Sequence, residues 1–331
     1  MGVDKEAMGQ FNYKQVLRWI IIIGIFLFLG KMVWNNWSQV KDTPLTLKSF
    51  PFILSTLVFA FSYFIQIWAW YLITLKLKIA LSPSETIKSW FYSQLGKYLP
   101  GKVWLLLGRF YLYESEGKSK KTISIALYFE TVTVVVAAGF IFLAALILFR
   151  DVGLFFSGRQ FWGLILLFLF VLASISLHPW FLQKILNWIL IRLKKEPVSI
   201  SISYPEIIFV LFFCILAWVV GGIGFYLFTD SIIPVSSKHI LFLTGSLAFS
   251  STLGLIAIFA PSGLGVREGA LVYLLSYVMP GPVAVIISVL TRIWMTLIEI
   301  GLIGVIYLIS KIRKRSEKKN RHVETKEEEK I

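Results

Sequence analysis

The sequence predicts an all-α polytopic integral membrane protein with about eight transmembrane helices. Of its 331 residues, 57% are apolar and only 15% are charged, and the mean hydropathy is +0.77. Soluble domains are about 45–50% apolar and about 25% charged, and they avoid the large exposed apolar patches that this composition would require. The composition therefore excludes a disordered chain, a soluble Rossmann enzyme and a disulfide-rich secreted module.

The distribution of charge supports the same fold class. The chain has 33 Lys and Arg against 18 Asp and Glu, which gives a net charge of +15. A basic soluble domain would suggest nucleic-acid binding, but here the cations lie in short loops and one tail between apolar runs, where they orient a chain in a bilayer. We expect membrane lipids with anionic headgroups as partners, and no nucleic acid. Cys214 lies alone in an apolar run and the three histidines share no ligand spacing, so we expect no disulfide, metal or cofactor.

Seven apolar runs are long enough to cross a hydrocarbon core about 30 Å thick. The first follows Lys14 and Arg18 and lacks a small-residue cleavage site, so we expect a retained helix. We expect residues 1–310 to form one transmembrane domain and the charged tail 311–331 to be disordered. Residues 181–193 have the pattern of an amphipathic helix in the membrane interface. The seven runs lie near residues 17–34, 50–75, 123–149, 161–178, 205–229, 240–260 and 282–310.

Two further segments are interrupted by proline and glycine. Residues 83–113 are broken at Pro100-Gly101, and residues 261–281 begin with Pro261-Ser-Gly-Leu-Gly. Proline ends or kinks a helix and glycine permits tight turns. Broken segments at matching places in two halves of a chain, here about 160 residues apart, indicate a transporter's binding site. The spacing therefore predicts an internal repeat, the alternative being two interfacial loops at chance positions.

The loop charges predict the orientation. Segments 76–121 and 184–195 are rich in lysine and arginine, whereas 150–160 and 230–239 are short and nearly balanced. The positive-inside rule places the basic loops and both termini in the cytoplasm, for a multi-pass protein of the cell membrane. Two cytoplasmic termini require an even number of crossings. We therefore expect 264–280 to cross as a short eighth helix, with re-entry as the alternative, and 85–110 to form a cytoplasmic re-entrant hairpin.

Ionisable residues in or beside these spans are the candidate substrate-binding residues. Each costs about 2.5–3.5 kcal/mol to insert and is therefore a functional hypothesis. Lys102 and Arg109 lie seven residues apart on the helix that starts after Gly101, and together they suit an anionic headgroup. The alternatives are that Lys97, Lys102 and Arg109 only extend towards lipid phosphates, and that charged residues such as Arg292 and Glu299 form internal ion pairs. The candidates are Lys102, Arg109, Glu130, Arg267, Glu268, Arg292 and Glu299.

The glycines have structural interpretations. Pro100, Gly101, Pro261, Gly263 and Gly265 are predicted turn residues. Gly265 and Gly269 also match the small-xxx-small pattern of closely packed helices. No strand precedes them, so a dinucleotide fingerprint is excluded, and the chain contains neither a P-loop nor a nucleophile elbow. We expect no catalytic residue.

An ordered series of these residues resembles a known family. The series is Tyr98-Leu-Pro-Gly-Lys-Val, Arg109, Glu130, Pro261-Ser-Gly-Leu-Gly-Val-Arg-Glu-Gly-Ala and Arg292. It resembles the transmembrane region of lysylphosphatidylglycerol synthetases and their flippase-like relatives. Lys102 departs from the family, which often has a small residue after Pro-Gly.

The resemblance implies a flippase-like protein that moves an anionic or aminoacylated phospholipid, or a polyprenyl-phosphate-linked glycolipid, between leaflets. The cytoplasmic synthase domain of the full-length synthetases does not occur in this sequence. The resemblance therefore implies a separate lipid-modifying enzyme as partner. One alternative is a membrane enzyme or subunit that transfers an aminoacyl or glycosyl group to lipid, with Glu130 or Glu268 as acid or base. Another is a structural subunit.

Overall fold

The regular structure of the described residues is entirely helical. The computed structural model describes residues 46–98, 103–148, 170–192, 194, 196–197, 199–257, 260 and 263–328, with the single residues 27, 31 and 34. The long helices are α1 (Ser49–Lys76), α4 (Lys120–Leu148), α6 (Tyr204–Ile232) and α9 (Gly281–Glu328). The shorter helices are α2 (Pro83–Gln94), α3 (Val103–Ser115), α5 (Pro179–Arg192), α7 (Ile240–Ile256) and α8 (Val266–Leu275).

Five helices of the described residues are long and apolar enough to span a membrane: α1, α4, α6, α7 with its preceding turn, and α9 up to Ile312. They confirm five of the seven predicted apolar runs. Their outer faces expose large apolar side chains such as Phe61, Phe212 and Leu297, as expected for surfaces that contact lipid. The predicted span 17–34 lies outside the described residues except for three positions, and 161–178 is described only from residue 170.

Helices α1 and α6 are antiparallel and define the two ends of the bundle. At end A, Lys76 forms an ion pair with Glu206, with 2.8 Å between Nζ and Oε1. At end B, the Lys48 N–H donates to the Ser231 carbonyl at 2.8 Å. Because α2, α4 and α5 connect to end A through basic loops, end A is the predicted cytoplasmic end.

The first broken segment forms a hairpin that enters from end A. Helix α2 starts there with Ser82 as its cap, whose Oγ accepts from the Glu85 N–H at 3.2 Å. Helix α3 returns to the same end, where the Trp70 indole N–H donates to the Tyr113 hydroxyl at 2.8 Å. At the tip, Gly96 lies against the backbone of Trp104, and a Cβ at Gly96 would stand 2.5 Å from its carbonyl carbon. The predicted re-entrant hairpin is therefore present in the described residues.

The second broken segment also forms a hairpin, and it enters from end B. Leu274 of α8 joins a buried cluster with Phe242 of α7 and Leu146 of α4, so α8 runs back towards the end where α7 begins. The ten residues of α8 extend about 15 Å, half of a hydrocarbon core about 30 Å thick. Helix α8 alone is therefore shorter than a full crossing, and the eighth crossing predicted for 264–280 is not confirmed. The chain reverses because Gly263 and Gly265 adopt φ values of +69° and +83°, which L-residues with side chains rarely adopt.

The two halves of the bundle form an inverted repeat, as the spacing of the broken segments predicts. Each half is a span, a hairpin and a second span, and the two hairpins enter from opposite ends. If 240–275 is a hairpin that does not cross and 17–34 and 161–178 cross once each, the chain has six crossings and both termini lie on one side; this count stays a prediction. The corresponding elements start at residues 49 and 204, 83 and 240, 103 and 266, and 120 and 281.

The basic tail differs from its prediction. Helix α9 continues to Glu328, whereas the charge pattern of 311–331 predicts disorder. The described part of the tail contains no glycine or proline. It consists largely of lysine, arginine and glutamate, which have high helix propensity.

Candidate functional site

The predicted site residues that the structure describes separate into two groups. The first is an ion pair between Arg109 of α3 and Glu130 of α4. The Arg109 side chain is 1% exposed, and its Nε donates to the Ser93 hydroxyl at 3.2 Å. The other Glu130 oxygen accepts from the Trp90 indole N–H at 3.2 Å.

Aromatic rings complete the surroundings of Arg109. The guanidinium carbon lies 4.8 Å from the centre of the Trp70 ring and 5.5 Å from that of Trp90, within the range of cation–π attraction. Helices α1, α2, α3 and α4 therefore all contribute to one closed polar cluster. The pair attaches the first hairpin to α4, and a lipid headgroup would reach Arg109 only by displacing Glu130.

The second group lies where the two hairpins approach α9, and we call it the tip cluster. Its members are Lys97 at the tip of the first hairpin, Arg267 and Glu268 at the start of α8, and Arg292 and Glu299 of α9. Lys97 forms an ion pair with Glu299, whose side chain is 1% exposed. Arg292 pairs with Glu268 at 3.2 Å between Nη1 and Oε1. Lys97 is also within electrostatic range of both arginines, so the five charges form one group.

Helix α9 connects the two hairpins through residues that lie two turns apart. The spacing of Arg292 and Glu299 predicts that they share a face, and internal ion pairs that hold helices together are the alternative to ligand binding. Both are indeed held in ion pairs, but each pairs with a different hairpin: Glu299 with the first and Arg292 with the second. Helix α9 therefore brings together residues that are 202 positions apart in the chain.

Arg267 is the cation of the tip cluster that has no carboxylate in ion-pair contact among the described residues. Its Nη2 contacts the Met295 thioether sulfur at 2.7 Å, which is a weak acceptor. The Glu268 and Glu299 carboxylates and the Tyr63 phenol interact with it electrostatically from beyond ion-pair distance. A guanidinium carries five N–H donors in a planar fork that fits phosphate and carboxylate groups. Its donors are therefore suited to an anionic ligand.

The turn before α8 fixes the position of Arg267. Glu268 caps the helix by accepting from the Gly265 N–H at 2.7 Å between N and Oε2, while its other oxygen holds Arg292. Gly263 lies directly against Gly254 of α7, where an added Cβ would stand 2.6 Å from the Gly254 Cα. Gly263 and Gly265 thus lie in this turn with positive φ values. At Gly269, by contrast, an added Cβ would meet nothing within 4 Å, so the close packing predicted there is wrong.

Two members of the site, Lys97 and Met295, are not among the residues predicted from the sequence. Four predicted residues lie outside the part of the chain that the structure describes. Sequence reasoning treated Lys97 as a residue that extends to lipid phosphates, although a lysine three positions before Pro100-Gly101 was a usable signal. It gave no signal for Met295, whose role depends on which helix packs beside α8. Lys102, Pro100, Gly101 and Pro261 lie outside the described residues.

Comparison with known proteins identifies the family. A family model described as the lysylphosphatidylglycerol synthase TM region matches residues 15–304. The chain belongs to this family. The matched range contains both hairpins and the whole tip cluster, so the site lies within the part that defines the family. A search of curated proteins and a search of solved structures found no match. Family and fold together make the chain a membrane protein of a group related to lipid modification or translocation.

Proposed function

We propose that this protein is a flippase-like lipid translocator that binds an anionic headgroup at the tip cluster. The observation that carries the proposal is the meeting of two hairpins from opposite ends at three cations and two carboxylates. The cluster has one positive charge in excess, which an anionic phosphate would neutralise. Such charge is costly within a membrane and marks substrate pathways.

The inverted repeat favours translocation over group transfer. Transporters place their substrate near the midplane, at the interface of repeats with opposite topology, and alternate access by moving one repeat against the other. Here each hairpin would close the site towards the end from which it enters. A headgroup could then be exposed first at one end and next at the other, while its acyl chains remain beside the apolar outer faces of the spans.

The residues of the tip cluster have distinct roles in this proposal. Arg267 contacts the phosphate first, because no carboxylate of the described residues forms an ion pair with it. Lys97 and Arg292 exchange Glu299 and Glu268 for the same phosphate. The released carboxylates then accept hydrogen bonds from an amino or hydroxyl group of the headgroup. Three predicted substrate contacts lie outside the tip cluster and stay predictions: Arg109, Glu130 and Lys102. Lys102 lies outside the described residues.

Group transfer to lipid is the competing function, and the geometry favours it less. An acid or base must reach the proton that it transfers. Glu268 is 2% exposed, and both of its oxygens are engaged, by the Gly265 N–H and by Arg292. Glu130 is engaged in the same way by Trp90 and Arg109. Both carboxylates therefore have their oxygens occupied by donors of the described residues, which does not suit proton transfer.

The test is leaflet exchange of fluorescent phosphatidylglycerol in proteoliposomes that contain the full chain. We expect the parent protein to accelerate exchange and R267A to abolish the acceleration, with partial retention in R267K because the charge remains. K238A is the matched control, since Lys238 is an exposed cation in the turn before α7, at end B.

Two results would contradict the proposal. One is exchange no faster than in empty liposomes, with the protein shown to be folded by size exclusion. The other is equal acceleration by R267A and K238A. A new lipid product formed from an added aminoacyl or glycosyl donor, and lost in E268Q, would replace translocation with group transfer.

A further inference from the structure

Helix α5 presents two chemically different faces at end A. On the inner side, Leu182 and Leu186 pack against the main buried cluster, and the Gln183 side chain accepts from the Ile200 N–H at 3.1 Å. On the outer side, Trp180, Lys184 and Trp188 follow one another at spacings of four residues, so they share one face. The two indoles are 62% and 59% exposed, which is unusual for tryptophan on a surface that only contacts water.

The outer face combines each indole with a cation. The Lys184 Nζ lies 4.9 Å from the centre of the Trp180 ring, and the Arg192 guanidinium lies 4.9 Å from that of Trp188. Cation–π contact with a ring leaves the N–H donors available to hydrogen-bond acceptors. No ion pair with a described carboxylate engages either cation, and α5 itself contains no acidic residue. The face therefore carries two positive charges that a neighbouring anion would complement.

A groove on this face gives one of the two cations, Lys184, a defined site. It is lined by Trp180, Phe181, Lys184, Ile185 and Trp188 and has a volume of about 320 Å³. This volume is at the lower limit of small-ligand pockets, about 300 Å³. It admits the polar part of a phospholipid while the acyl chains remain outside. One cation among four apolar side chains is suited to the region where a lipid phosphate adjoins its glycerol and upper acyl chains.

We propose that α5 is a binding site for anionic phospholipids of the leaflet at end A, separate from the tip cluster. Its position supports a membrane lipid as the occupant, because α5 lies between the helical residues 170–176 and span α6. Ser201 follows Ile200, whose N–H binds Gln183 of α5. The Ser201 hydroxyl donates to the carbonyl of Lys76, which lies at end A, at 3.4 Å. Lys184 and Arg192 bind the phosphates of neighbouring lipids, and Trp180 and Trp188 lie at the depth of the glycerol groups, where tryptophan is enriched in membrane proteins.

The test uses quenching of tryptophan fluorescence by brominated lipids in nanodiscs that contain the full chain. Subtraction of the signal of W180F/W188F from that of the parent isolates the two indoles of α5. We expect brominated phosphatidylglycerol to quench these indoles at a lower mole fraction than brominated phosphatidylcholine does. In K184Q/R192Q, the mole fraction of phosphatidylglycerol needed for half-quenching should rise about fivefold for each cation removed, because each contributes about 1 kcal/mol near an anionic surface.

The control K118Q/K121Q removes two cations from the same end without altering α5, and it should leave half-quenching unchanged. Equal effects of the two double variants would reduce the site to a general surface potential and overturn the proposal. Equal quenching by the two lipids would overturn it as well. Absence of any difference between the parent and W180F/W188F would show that the face does not contact lipid and favour a protein partner. None of these outcomes depends on lipid exchange, so the result is independent of the proposed function.

Discussion

Breaking one side of the buried pair of Arg109 and Glu130 should destabilise the fold far more than breaking an ion pair on a protein surface. We consider R109M, E130Q and the double variant R109M/E130Q. In R109M, Glu130 keeps the hydrogen bond from Trp90 but becomes a buried charge without its cation. In E130Q, Arg109 keeps Ser93 and the two indole rings but loses its anion. Breaking one side of a buried pair costs about 3–5 kcal/mol.

The double variant leaves no uncompensated charge. Methionine fills much of the volume of the arginine side chain, and the side-chain carbonyl of the glutamine introduced by E130Q would still accept from the Trp90 indole. Replacement of both partners of a buried pair by neutral groups is often close to neutral. The loss of cation–π attraction adds about 0.5–2 kcal/mol. We therefore expect R109M/E130Q to be destabilised by about 1–2 kcal/mol, much less than the sum of the single variants.

The measurement is a double-mutant cycle of unfolding free energies from SDS titration in mixed micelles, followed by circular dichroism. A coupling energy of about 3 kcal/mol or more is expected. Additive single effects, or single effects below about 1 kcal/mol as for an exposed pair, would refute the structural role. A leaflet-exchange assay distinguishes a structural role of Arg109 from a role in substrate binding. Folded R109M/E130Q should still accelerate lipid exchange. Loss of this acceleration in folded protein would assign Arg109 to the headgroup site.

Two further predictions concern the tip cluster and its turn. E299Q removes the carboxylate that forms an ion pair with Lys97 and raises the excess positive charge of the cluster from one to two. Phosphatidylglycerol should therefore be retained about fivefold more strongly during purification, as measured by lipid mass spectrometry. Unchanged retention would contradict an exchange of Glu299 for phosphate. G263A places a Cβ at a φ of +69° and 2.6 Å from the Gly254 Cα, which should cost at least about 1–2 kcal/mol. The control is G269A, at an exposed helical position where the added Cβ has nothing within 4 Å. This variant should be neutral or stabilising by up to about 1 kcal/mol. Equal thermal unfolding temperatures of the two variants would contradict the proposed turn.

The inverted repeat bears on the predicted eighth crossing, which the described residues do not confirm. The even number required by two cytoplasmic termini is correct reasoning, but it can be met without an eighth crossing if 240–275 is one hairpin. Sequence periodicity assigns α7 as a span because its length and hydropathy are those of a span. Only the packing of Leu274 beside Phe242 and Leu146 shows that α8 returns to the starting end.

The candidate site was predictable in its residue types but not in its pairing. Charges in apolar segments are costly, so Arg267, Glu268, Arg292 and Glu299 were identifiable without coordinates. The sequence could not distinguish Arg109, which is enclosed by Glu130 and two indoles, from Arg267, which contacts a thioether. Both are arginines that follow a helix break, and their difference arises from side chains of other helices.

The sequence by itself determined that this protein lies in a membrane, where its main helices are and where the chain breaks. These features depend on local composition: apolar length, proline, glycine and charge act over a few turns of helix. The tertiary structure alone decided that the two breaks are hairpins from opposite ends, that Lys97 meets Glu299 and Arg292 meets Glu268, and that Arg109 belongs to a separate cluster. Such pairings depend on the packing of helices that are distant in sequence, and no local pattern specifies which residues then come into contact.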